Sequence, residues 1–180
     1  MHAMRAVAPL LFLASSALAD SHVTGDMSVY AAIEAGIVCA AEASSREAAP
    51  DTRTGFIDLV EGEITLGLAT ARVPALPGLA FGVVAQVADN GEVRGATIIV
   101  IHPPIGAEGT VRESWRSDLV PGNRTANFFR FDYPEEQAPG PWTLQAELDG
   151  KVLYTARFEV VDPALMADFV NPCEMPPQLS

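Results

Sequence analysis

Lysine is almost missing from this chain: of eleven basic residues only Lys151 is a lysine, and the rest are arginines. Acidic residues number 23, so the formal net charge is −12. A chain of that sign repels nucleic acid and anionic lipid, and neither is an expected partner. Long apolar runs are lacking as well. The first, near the start, is shorter than the roughly 20 residues that cross a bilayer, and no later segment does better, so no membrane span is expected. Cysteine is limited to Cys39 and Cys173, with no C-x-x-C spacing, and histidine to three residues. Ser114 and Ser117 lie outside any G-x-S-x-G setting. Thiol-redox, zinc-ribbon and nucleophile-elbow chemistry therefore have no signature here, and no cofactor is expected. Repeats and low-complexity stretches are also absent.

What is present begins with an address. Arg5 precedes the apolar run Ala6 to Ala14, and small residues end in Ala17-Leu18-Ala19. This is the layout of a cleaved signal peptide over residues 1–19. No cysteine follows the cleavage point and no Arg-Arg pair precedes the run, so neither a lipid anchor nor twin-arginine export is indicated. The expected product is periplasmic or secreted, from a bacterium. Removing the leader leaves 180 − 19 = 161 residues and a charge of 10 − 23 = −13. We expect a flexible lead-in over 20–27, one domain over 28–175 and a tail over 176–180. In an oxidising compartment Cys39 and Cys173 should form one disulfide, tying the tail to the first structured segment. Its loop spans 173 − 39 = 134 steps, for which chain entropy gives an upper figure of about 5 kcal/mol.

Residues 28–43 are ambiguous. Alanines favour helix, whereas the alternation Ile33, Ala35, Ile37, Cys39 with Gly36 between favours a strand over 33–40. Residues 43–53 are small, charged and proline-bearing and read as a loop. Strands are predicted near 55–60, 63–73, 79–88, 93–102, 111–117 and 126–133, with a short helical turn over 163–169. The run Thr97 to Ile101 has no polar face and predicts a central strand covered on both sides, ended by Pro103-Pro104. In the last hairpin Trp142, Leu144 and Ala146 alternate with polar residues, as do Tyr154, Ala156, Phe158 and Val160. Keeping both apolar rows on one face calls for a three-residue loop, Leu148-Asp149-Gly150, with Trp142 opposite Ala156 and Gly150 at positive φ. Together these signals predict an all-β fold, an immunoglobulin-like antiparallel β-sandwich, with a small closed barrel as the alternative.

A resemblance runs from about Arg72 to Val161. It is carried by Val73-Pro74-Ala75-Leu76-Pro77-Gly78-Leu79-Ala80-Phe81-Gly82, His102-Pro103-Pro104, Pro139-Gly140-Pro141-Trp142, and Gly150-Lys151-Val152-Leu153 leading into Phe158-Glu159-Val160. In this order the chain resembles an uncharacterised family of short exported bacterial domains, grouped as a domain of unknown function. The motifs are turn residues and core aromatics, and the resemblance implies no activity and no catalytic residue.

No constellation identifies a catalytic or metal site, so none is assigned. His102 ends an apolar strand, where a histidine more often bonds a neighbouring loop than serves as base or ligand; a small-ligand or metal carrier built on it is one alternative. Asp132, Glu135 and Glu136 form the best carboxylate group, and a glycan-directed hydrolase using Asp132 with Glu135 or Glu136 is another. The chain is acidic throughout, which favours a solvated loop there. Arg112, Trp115 and Arg116 have the composition of a partner surface if Trp115 is exposed, and of rim and core if it is not. The leading expectation is a non-enzymatic module that binds or scaffolds a protein or glycan of the cell envelope.

Overall fold

In the computed structural model, which describes residues 22–174, alternating side chains set the architecture from Tyr30 to Val161. Twelve strands are found among these residues: β1 Val23–Gly25, β2 Tyr30–Cys39, β3 Ser45–Ala48, β4 Phe56–Leu59, β5 Thr65–Ala69, β6 Arg72–Pro74, β7 Ala80–Val87, β8 Val93–Ile105, β9 Thr110–Leu119, β10 Arg124–Arg130, β11 Gly140–Leu148 and β12 Lys151–Val161. One sheet has the order β1-β12-β11-β8-β9, with β6 also on β12; the second has the order β10-β7-β2-β5; β3 and β4 pair only with each other. All pairings are antiparallel except β6 with β12. The sheets face each other and do not close, so the fold is an immunoglobulin-like sandwich and not a barrel. The expected signal peptide lies outside the described residues.

The core lies between the two sheets. Phe81 of β7 reaches across to Trp142 at 5.5 Å and Phe158 at 5.1 Å, in edge-on contacts, and Phe131 lies 5.3 Å away. Edge-to-face pairs of this kind add roughly 0.5–1.5 kcal/mol each beyond their buried area. Leu144 and Phe158 share this core, so both apolar rows of the last hairpin point the same way.

The hairpin reaches that result differently from the sequence expectation. Its loop has two residues, with Leu148 opposite Lys151 and Trp142 opposite Phe158. Asp149 and Gly150 both take positive φ, 49° and 79°, the mirror-image turn whose twist suits a hairpin. A register shift between Ala146 and Glu147 then restores the facing of the rows, so a bulge does the work assigned to a longer loop.

Other differences have similarly local causes. The lead-in is not loose where it is described: β1 pairs with β12, the His22 carbonyl accepts the Arg157 N–H at 2.8 Å, and Lys151 pairs with Asp26. Within 28–43 the strand reading holds, as β2 Tyr30–Cys39, and β3 lies inside the expected 43–53 loop because Phe56–Leu59 gives it a partner. The 63–73 segment breaks at Thr70, whose hydroxyl bonds the Arg72 backbone as the chain leaves one sheet for the other. Strand β8 runs on through Pro103-Pro104 because a register shift between Ile101 and Ile105 accommodates residues that cannot donate. On its outer face Ile99 is buried but Ile101 is 47 % exposed, so cover on both sides is only partial. The last helical turn is a 3-10 turn, Pro163–Met166.

Gly82 sits mid-strand between Gly36 and Phe128. A Cβ there would lie 2.3 Å from the Asn127 carbonyl oxygen and 2.5 Å from the Phe128 Cα. Both are backbone atoms of β10 and must shift together. Gly82→Ala should therefore cost about 1–3 kcal/mol, measured by urea unfolding. A loss below about 0.5 kcal/mol would show that β10 yields easily.

Candidate functional site

Strands β9 and β10 are the edges of the two sheets on the same side of the sandwich, joined by the turn after Leu119. The β3–β4 hairpin stands over this side. Its turn is fixed to β9, where the Ser114 N–H donates to the Asp51 carbonyl at 3.1 Å and the Arg53 N–H donates to Glu113 Oε2 at 2.7 Å. Between the hairpin and the two edges is a groove of about 980 Å³, with Phe56, Trp115, Phe128, Phe129 and Tyr133 among its walls.

A chain of buried charge closes one end of the groove. Arg53 Nη2 donates to Glu136 Oε1 at 2.5 Å and Nη1 to Glu135 Oε1 at 3.3 Å, while its guanidinium carbon lies 4.9 Å from the Tyr133 ring centre. Glu136 Oε2 accepts the N–H groups of Asp132 and Tyr133 at 2.8 and 2.9 Å. Glu113 faces His102, with Oε1 3.5 Å from Nε2; that separation is long for a hydrogen bond, and both atoms otherwise lack a partner. His102 is stacked on Trp142 at 4.6 Å, and its Nδ1 is 2.8 Å from the Pro103 carbonyl oxygen. A carbonyl only accepts, so Nδ1 carries the hydrogen. Burial pushes the Glu113 carboxyl up, but His102, the Arg53 N–H and the Arg53 guanidinium outweigh it and hold the carboxyl below its usual range.

The residues singled out by sequence fall into different places. Cys39 and Cys173 form the expected disulfide. His102 is buried and bonded to its own strand, at the Pro103 carbonyl. Glu135 and Glu136 meet on Arg53, whereas Asp132 pairs with Arg130 at 2.7 Å. Both Glu136 oxygens are engaged, Oε1 by Arg53 and Oε2 by the Asp132 and Tyr133 N–H groups. Of Arg112, Trp115 and Arg116, the last two both line the groove and Arg112 does not. Trp115 is opposite Ile98 and packs on the core; Arg112 bonds Ser114 on the other face, and Arg116 lies against Gly95. Among the described residues no three His, Cys, Asp or Glu side chains gather as a metal site.

Sequence reasoning missed Arg53, Glu113 and the hairpin that carries Arg53. The one signal was the phase of Glu113, two residues from Trp115 and thus on the same face of its strand.

The comparisons with known proteins agree with this fold. An immunoglobulin-like protein from Pseudomonas aeruginosa, known from a crystal structure, is similar at 21% sequence identity and a TM-score of 0.50, over 81% of this chain and 100% of that one. No curated protein matches. The model of one family matches residues 27–160, a span that takes in β2 through most of β12, and the chain belongs to that family, a domain of unknown function (DUF3859).

Proposed function

We propose that this protein is an exported, non-enzymatic binding module that holds a partner of the cell envelope in the groove between the β3–β4 hairpin and strands β9 and β10. The observation that carries this reading is the groove itself, about 980 Å³, walled by aromatic rings and charged side chains. Concavities lined by aromatic rings with a few placed polar groups are where binding energy concentrates. The nearby carboxylates support binding over hydrolysis, since Glu136 is fully engaged by three donors. The Cys39–Cys173 bridge supports an oxidising compartment, periplasmic or extracellular.

The test is an NMR titration of 15N-labelled protein with two probe classes, chito-oligosaccharides and short synthetic peptides. Amide shifts should gather on Trp115, Ala126, Phe128 and Phe129. Shifts gathered on the opposite side, or none with either class, would overturn the site. Cleavage of the oligosaccharide would overturn the non-enzymatic reading.

A further inference from the structure

The polypeptide backbone along the groove points to what enters it. Strand β10 is an edge, paired on one side with β7 in an unbroken register from Arg124 to Arg130. The Phe131 N–H donates to the Leu79 carbonyl, and the Phe131 carbonyl accepts the Gly78 N–H. Odd-numbered residues of this stretch therefore turn their backbone groups to β7, and even-numbered ones turn theirs outward. Ala126 and Phe128 present both N–H and C=O to the groove, and no partner takes them among the described residues. Exposed edges are normally blunted by lysine, proline, a bulge or a covering segment. β10 carries charge only at its ends, Arg124 and Arg130, with no proline or bulge between them, and the hairpin that stands over it pairs with neither sheet.

We propose that the groove receives an extended, cationic segment of another polypeptide, which adds as a fifth strand on the free edge of β10. This rests on the groove being the binding site. The side-chain rows say what the segment carries. One row of the added strand would lie beside the inward row of β10, next to Phe129 and Trp115, where apolar residues fit. The other would lie beside Arg130, whose single guanidinium is shared by Asp132, Asp58 and Glu42 at 2.7, 3.8 and 3.9 Å. The groove lining holds seven carboxylates and three guanidiniums; Arg53 adds a fourth guanidinium, on Glu136, and the carboxylates still outnumber the cations, which leaves negative charge for a basic residue to meet. A second copy of this chain, with a net charge of −12, would bring the same sign to the same place. The occupant is thus a different chain, with apolar and basic residues in alternation.

The experiment uses a blocked heptapeptide of alternating valine and lysine, the same peptide N-methylated at every second residue, and a valine–glutamate counterpart. The first should bind and slow hydrogen exchange at the Ala126 and Phe128 amides. N-methylation keeps the charge but removes the donors, and should weaken binding about tenfold or more, as expected for two or three lost backbone bonds. The acidic peptide should not bind. Ala126→Pro removes an outward N–H and spares the β7 ladder; it should keep the thermal midpoint and lose the peptide. Equal binding of the N-methylated peptide, or exchange at Ala126 and Phe128 left unchanged, would overturn strand addition. Groove shifts with chito-oligosaccharide alone would overturn it and leave the groove reading standing, and no groove shifts with any probe would remove both.

Discussion

Changing Cys39 and Cys173 together to serine is expected to lower the unfolding free energy by about 2–5 kcal/mol. The bridge joins residues 134 apart, with Cα atoms 5.3 Å from each other, so in the unfolded chain it restrains nearly everything between. Its native role is equally plain. β12 ends in one sheet, and the chain then returns through Phe169, which packs on the core, to the end of β2 in the other. The bridge rests on β5, where a Cβ on Gly67 would come within 2.6 Å of Cys39 Sγ. Guanidinium unfolding of the oxidised protein and the double serine variant should show a lower midpoint and a steeper denaturant dependence for the variant, whose unfolded state exposes more surface. A difference under about 1 kcal/mol with an unchanged slope would mean that the tail is held well without it.

Arg53→Leu should cost about 3–5 kcal/mol, because it strands Glu136 in a site where only 6% of that side chain is exposed. The penalty is that of an unpaired buried carboxylate, which is larger than the net worth of the pair. Arg53→Leu combined with Glu136→Gln should therefore recover a good part of the loss. Equal stability of the single and double variants would refute this account. The same network makes stability depend on pH. Glu113 in the folded protein titrates below its ordinary value of 4.5. The folded state thus binds its proton less readily than the unfolded state, and the contribution is complete above that value and is lost as pH falls through the folded one. Glu113→Gln should flatten the stability profile in that acid range and leave its shape near neutrality alone.

Much of this fold is legible in the residues because one face of each central strand is buried. Trp142, Leu144, Ala146, Ala156 and Phe158 declare their side by alternation alone, and the sandwich follows. Register is less legible: a bulge and a longer loop satisfy the same alternation, and only the twist preference of Asp149-Gly150 separates them. The candidate site is the least legible part. Ser45-Arg46-Glu47-Ala48 is exposed throughout and is a strand only because Phe56–Leu59 lies beside it. On β9 both rows carry charge, since the inner row at that end meets the groove as well as the margin of the core, so Val111, Glu113, Trp115 and Ser117 give no sign of direction. Arg53 reaches Glu136 across 83 residues, and nothing local marks such a pairing.

The far border of the larger sheet has a consequence for assembly. There β12 is flanked by two pieces, β1 and β6, of three residues each. Neither is long enough to template another ladder. The row that β10 opens belongs to the other sheet and ends at β5, five residues long, so growth from strand to strand is stunted at the β12 side of one sheet and meets only a short strand at the far side of the other.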